Sequence, residues 1–323
     1  MSENLTRKNF IKSAAIALAG LPLTNTALGR NFSGNYLDNI DIAGKVSISI
    51  FSKHLSWLNY NDLAERAAKL GFDGIDLTVR PKGHVLPERV KTDLPKAVEA
   101  IEKAGLKVYN IATDIKDANQ PYTVDILNTA AQLGIKNYRM GWYSYDAKMD
   151  TEANLEAFKK RIASLAAVNE KYNIHGDYEN HTGLFGGPLW DLWETLKNLD
   201  PKWIGCQFDI RHATVDGAEA WPVNLDLLKN HIGSITIKDF HWQKNRDKWT
   251  IADVPLGQGM VDFKKYFALL KKHDLKRPIS LHCEYLPGEA TADKLGMPQE
   301  EIYKSIKADL DILKRWLKES ELL

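Results

Sequence analysis

The chain has 323 residues, with 43 Lys and Arg against 42 Asp and Glu, for a net charge of +1. A partner rich in phosphates calls for a basic excess, so nucleic acid is excluded as an expected partner. The apolar fraction of 44% and the charged fraction of 26% are ordinary globular values, and this length suits a single β/α barrel without a second domain.

Residues 1–29 read as an export signal. Thr6-Arg7-Lys8-Asn9-Phe10-Ile11-Lys12 resembles a twin-arginine motif, with Lys8 where the second arginine would stand. An apolar run over 14–23 follows, and the small residues Ala27 and Gly29 suit cleavage before Arg30. That run is too short to cross a bilayer. The expectation, by the twin-arginine or the general route, is a periplasmic protein with no membrane attachment once the signal is removed. Residues 30–44 then form a linker, and 45–323 the catalytic domain.

From residue 46 the chain alternates strand and helix signals. Residues 46–51 (VSISIF) are β-branched with period two, and 62–70 have helical spacing that stops at Gly71, a helix C-cap. Strands are expected at 74–79, 108–113 and 136–140, with helices at 94–104, 124–133 and 154–172. Four further strands are read at 175–181 (HGDYENH), 204–212 (IGCQFDIRH), 235–242 (ITIKDFHW) and 279–285 (ISLHCEY), with helices at 189–199, 225–230, 263–273 and 301–317. Such alternation argues for a parallel sheet with helices outside it. No glycine-rich phosphate loop follows the first strand, where Ser52-Lys53-His54 stands. The fold class is therefore α/β, a single (β/α)8 barrel.

In such a barrel the C-terminal ends of the strands converge on the active-site mouth. There Glu179, Asp209 and Glu284, with His181, His212 and His282 beside them, form a candidate divalent-metal and acid–base cluster. Lys238 points inward by parity with Thr236. Arg80 and His84, in the second βα loop, are candidates for hydrogen bonds to sugar hydroxyls. Trp142 and Trp242, just past strands four and seven, are candidates for stacking on a sugar ring. The structural alternative pairs Glu179 and Asp209 with Lys238 and Arg211, and leaves His282 a core histidine. Cys206 and Cys283 alternate with the carboxylates on their strands, so both are expected as buried free thiols.

The motifs Gly71-Phe72-Asp73-Gly74-Ile75-Asp76, Glu179-Asn180-His181, Asp209-Ile210-Arg211-His212, Lys238-Asp239-Phe240 and the late Glu284 carry a family resemblance. The chain is similar to the sugar phosphate isomerase/epimerase family, with its xylose-isomerase-like barrel, from about residue 45 to 317. Asp76-Leu77-Thr78-Val79-Arg80-Pro81 is similar to an exported, Bacteroidetes-like subgroup. The epimerases of that family hold one divalent cation with a Glu, an Asp, a His and a Glu on strands five to eight. The resemblance thus implies one ion (Mn, Mg or Zn) on Glu179, Asp209 and Glu284. Thr236 stands at the usual His position, so the implied site borrows His282 or a water, or has lost its metal.

The resemblance also implies the chemistry. Glu179 and Glu284 would exchange the proton next to a carbonyl, with His212 donating to a substrate oxygen and Lys238 adding positive charge. Burial is expected to push both glutamates up toward neutral pKa values. Three functions stay open: an isomerase or epimerase of an unphosphorylated sugar or keto-sugar, a lyase or hydrolase of 3-keto-glycosides, and a non-catalytic carbohydrate-binding barrel. The expected partner is a small sugar, and assembly into a homo-oligomer is left open.

Overall fold

The structure, a computed structural model, describes residues 46–323. The expected signal and linker lie outside the described residues. Strands β1 (Ile48–Phe51), β2 (Gly74–Val79), β3 (Lys107–Thr113), β4 (Asn137–Arg139), β5 (His175–Glu179), β6 (Ile204–Asp209) and β7 (Ile232–Ile237) are followed by a hairpin, β8 (Asp239–Asn245) and β9 (Lys248–Val254). With β10 (Ile279–Leu281), the first seven strands close a parallel barrel in the order β1-β10-β7-β6-β5-β4-β3-β2. The (β/α)8 expectation is met.

Nine α-helices accompany the strands among the described residues: α1 (Tyr60–Leu70), α2 (Val90–Lys103), α3 (Thr123–Gln132), α4 (Thr151–Tyr172), α5 (Trp190–Leu196), α6 (Ile210–Gly217), α7 (Trp221–Leu228), α8 (Phe263–Lys272) and α9 (Gln299–Glu319). Local chemistry sets their ends. Asn59 caps α1 by accepting from the Asp62 N–H at 3.0 Å, and Gly71 ends that helix at φ +94°. None of the helices is long and apolar enough to cross a membrane.

All four later strands end before the expected residue: the fifth, expected over 175–181, stops at Glu179, and the eighth, expected over 279–285, stops at Leu281. The sixth was read through His212 but stops at Asp209, because the Asp209 carboxylate accepts from the His212 N–H at 3.0 Å and starts α6. The seventh was read over 235–242; it begins at Ile232 and leaves the barrel after Ile237. The chain then enters the β8–β9 ribbon, whose base Asp239 anchors. Its carboxylate accepts from the backbone N–H of Phe240 (2.9 Å), Gly257 (3.0 Å), Gly259 (3.0 Å) and Val261 (3.2 Å).

Outward strand residues such as Ile75, Leu77, Phe208 and Ile235 are buried in an aliphatic layer under the helices. The lumen is polar instead. Ser234 on β7 donates to Asp177 on β5 at 2.6 Å, and Ser280 on β10 donates to Asp76 on β2 at 2.7 Å. Neither pair of strands is adjacent, so both bonds cross the interior. Asn137 adds a bond to Asp177 at 2.9 Å, and Asn110 one to Asp76 at 3.0 Å. These partners satisfy the buried carboxylates, which would otherwise be costly. Cys206 and Cys283 are buried and free, as expected.

Gly205 marks a close approach in this lumen. A Cβ there would stand 2.2 Å from the His231 carbonyl oxygen and 2.9 Å from His175 Nε2. Gly205→Ala is expected to destabilise the fold by about 1–3 kcal/mol, the usual cost of overpacking. A urea titration checks this, and an unchanged midpoint would refute it.

Candidate active site

A cavity of about 240 Å³ opens where the barrel strands end, which fits a monosaccharide-sized ligand better than a large one. The structure brings Glu179, Glu284, Lys238, His212, His181, Arg80, Trp142 and His282 to its wall. Asp209 is fully buried and does not reach the wall; one oxygen caps α6 and the other lies 2.9 Å from Lys238 Nζ. Two expected binding residues lie elsewhere. The backbone N–H of His84 donates to Thr78 Oγ1 at 2.9 Å and its carbonyl accepts from the Tyr60 hydroxyl at 3.1 Å, so it braces the second βα loop. Burial pushes its imidazole down to about 4. Trp242 is carried out on β8, 39% exposed and edge-on to Phe240, because the strand that was to present it ends at Ile237.

Residues not foreseen complete the wall: Phe51, Lys53, Arg139 and Asp253, with Arg211 in a role other than the expected one. Arg139, at the end of β4, donates to Glu179 Oε2 at 2.7 Å, and both side chains are at most 2% exposed. Lys53, just past β1, donates to Glu284 Oε2 at 2.5 Å. Arg211 pairs with Asp253 on β9 at 2.6 Å rather than with Glu179 or Asp209. The expected ion pairing of Asp209 with Lys238 does form.

These cations reverse the expected behaviour of the glutamates. Burial alone would raise the Glu179 carboxyl, but Arg139, Lys238 and two neighbouring histidines outweigh it and hold it at about 2. Burial likewise opposes ionisation of Glu284, yet His282, 3.5 Å away, with His54 and the charges of Lys238 and Lys53, keeps it well below the ordinary carboxylate range. Burial disfavours the Lys238 ammonium, and the carboxylates of Asp209, Glu179 and Glu284 more than restore it, so its pKa is raised.

His212 is oriented by its other nitrogen. Nδ1 accepts from the Thr182 backbone N–H at 3.2 Å and lies 3.0 Å from Arg211 Nη1. Burial, reinforced by Lys238, holds its pKa well below the usual histidine value, so the ring is neutral. Nδ1 also lies 2.9 Å from Thr182 Oγ1, and Nε2 lies 2.9 Å from Lys238 Nζ, an obligate donor. His181 packs against His212 with ring centroids 4.0 Å apart, and Trp142 against His181 at 4.8 Å.

The carboxylates do not fit a divalent cation as they stand. Arg139, Lys238 and Lys53 already occupy Glu179, Asp209 and Glu284. Thr236 donates its hydroxyl to Glu179 Oε1 at 3.3 Å. Among the described residues no group of three or more His, Cys, Asp or Glu is arranged to hold a metal ion.

Comparisons with known proteins agree on the architecture. A D-psicose 3-epimerase from Clostridium cellulolyticum, solved with D-tagatose, superposes with a TM-score of 0.64 at 12% identity, over 84% of this chain and 99% of the other. A 3-keto-D-glucoside 4-epimerase from E. coli gives 0.61 at 14% identity, over 83% of this chain and 100% of the other. A provisionally named L-ribulose-5-phosphate 3-epimerase of Haemophilus influenzae is 26% identical over 152 residues, 45% of this chain. The match spans about half (51%) of that relative's length. The structural likenesses, at such low identity, speak for the fold alone. The sequence itself matches the family profile over residues 64–310, and the chain belongs to the xylose isomerase-like TIM barrel family.

Proposed function

We propose that the protein is a sugar epimerase or isomerase that exchanges the proton on a carbon next to a carbonyl. The observation that carries this reading is the meeting of Lys238 and His212 at the cavity wall. The Lys238 ammonium lies 2.9 Å from His212 Nε2 and 2.9 Å from Asp209 Oδ2, and with three hydrogens to donate it has one more for the cavity. A substrate carbonyl oxygen placed beside Lys238 accepts from the ammonium that His212 and Asp209 hold in place, and the contact improves as that oxygen gains charge. Preorganised donors of this kind stabilise an enolate oxygen more than a ground-state carbonyl.

The proton accounting follows. Either Glu179 or Glu284 takes the proton from carbon; the C–H electron pair becomes the enolate double bond, and the carbonyl π pair moves to oxygen. Return of a proton to the same carbon restores the carbonyl, and return to the opposite face inverts the centre. Glu284, its side chain 21% exposed, exchanges its proton with solvent. Both carboxylates are held in the charged form and are weak bases, so the donors on oxygen must supply most of the carbon acidity. The carboxylates that would bind a metal are engaged by Arg139, Lys238 and Lys53 instead.

Deuterium wash-in, followed by NMR over ketoses and 3-keto-glucosides, tests the reading. Exchange at one carbon is expected with at least one of them, unchanged by EDTA and by later addition of Mn²⁺ or Mg²⁺. Exchange that vanishes on chelation and returns with the ion would refute the metal-free site. No exchange across the panel would leave a carbohydrate-binding barrel.

A further inference from the structure

Glu284 stands outside the barrel ladder. β10 ends at Leu281, and Glu284 lies in a turn beyond it, whereas Glu179 closes β5 and pairs with Gln207 of β6. Ladder hydrogen bonds therefore fix one glutamate, and the other depends on its neighbours in the chain. The Tyr285 hydroxyl donates to Asp309 Oδ2 at 2.8 Å, and the Cys283 thiol donates to the same oxygen across 3.6 Å. Burial raises both the thiol and the phenol, so each keeps the hydrogen it donates. The Cys283 N–H adds a brace, at 3.1 Å, to Nε2 of the buried His54 in the turn that also carries Lys53.

Asp309 sits on α9, 1% exposed and off the cavity wall. Its other oxygen accepts from the Leu256 N–H at 3.1 Å, shortly after Asp253 of the wall. Anchoring the helix does not require it, because Ile302, Ile306, Leu310, Leu313 and Leu317 already bury the inner stripe of α9. An acid set into that stripe is disfavoured by burial, which raises its pKa, and the hydrogen bonds from Tyr285, Leu256 and Cys283 oppose this. What the acid holds in return is the pair of residues flanking Glu284 and the return of the ribbon.

We propose that Asp309 is a positioning residue for the proton transfer: by gripping Cys283 and Tyr285 from α9, it aims the Glu284 carboxylate at Lys53 and the cavity. The inference rests on the epimerase reading for the proton that Glu284 takes, and adds what aims the base. Asp309 touches no substrate and acts through Glu284.

Asp309→Asn sets an amide NH₂ among three donors, and Tyr285→Phe removes one donor while leaving Asp309 in place. Deuterium wash-in over ketoses and 3-keto-glucosides should show kcat lowered about 10-fold to 100-fold in Asp309→Asn, the scale of a misplaced reacting group, and less in Tyr285→Phe. KM should hold, and neither change should lower the rate further once Glu284 is already Gln. Crystal structures supply the arm that needs no activity: the Glu284 carboxylate should leave Lys53 in Asp309→Asn while the Arg139–Glu179 pair stays closed. Tyr285→Phe carries both arms if Asp309→Asn does not fold. A wild-type kcat in the variants, a loss confined to KM, an equal loss in the Glu284→Gln background, or a Glu284 that keeps its contact with Lys53 overturns the proposal. The two ideas fail separately: a displaced Glu284 in a protein whose wild type exchanges no proton sinks the epimerase reading and keeps Asp309 as what aims Glu284. Exchange by the wild type, with Glu284 unmoved in the variants, does the reverse.

Discussion

Replacing Glu179 or Glu284 by Gln lowers kcat for proton exchange by about 10²–10⁴, the usual worth of general acid–base catalysis, with little change in sugar affinity. Gln keeps the size of the side chain and an oxygen for Arg139 or Lys53, but it cannot hold the substrate proton. The two carboxylates serve one transfer, so the double variant should lose far less than the product of the single losses. The acid limb is also specified. Glu179 is held at about 2 and His212 well below its ordinary value, so kcat/KM should stay level as pH falls from 7 toward 5. A steep loss in that range would mean that another group carries the proton. Exchange at the wild-type rate in both Gln variants would make the carboxylates structural.

Arg139→Leu should be the most damaging single change to stability. It removes the cation from a carboxylate that is 1% exposed and leaves a buried charge without its main partner. Breaking such a pair costs about 3–5 kcal/mol. The sign of the pH dependence follows from Glu179, whose folded pKa of about 2 lies below its ordinary 4.5. A depressed carboxylate contributes its stability in full above 4.5 and loses it as pH falls toward 2. The gap between wild type and Arg139→Leu should therefore be widest near neutral pH and narrow below 4.5. Arg139→Leu combined with Glu179→Gln should recover part of the loss, since no unpaired charge remains. Urea unfolding at several pH values measures all three, and a gap that widened on acidification would refute the account.

Much of the fold was legible because a parallel barrel writes itself in repeated units. Apolar strand runs, each followed by a helix-period segment, appear in chain order, with Gly71 capping the first helix, and the polar residues at strand ends mark the mouth. Glu179, Glu284, Lys238 and His212 reach the wall for that reason. Arg139 was not legible. It closes a three-residue strand, and its partner Glu179 is 40 residues on, across a β4–β5 pairing that only the fold supplies. Lys53 and Glu284 are separated by 231 residues and meet because β1 pairs with β10 at the barrel's closure. Their cations set the sign of the glutamate shifts, so an argument from burial alone pointed the wrong way. The expected strand began at Ile235 because Gly233 and Ser234 interrupt the apolar run, yet both sit in β7.

The Asp239 anchor gives the β8–β9 ribbon a fixed stem and an independent tip. Four backbone amides clamp the stem, while the tip carries Trp249 at 65% exposure, and only Asp253 reaches back to the cavity. Such a ribbon behaves as an interchangeable cassette. Its outer residues can be rewritten, lengthened or recruited as a rim without disturbing the barrel. Selectivity at the mouth and integrity of the scaffold can thus diverge at separate rates, and grafted ribbons offer a direct route to altered substrate range.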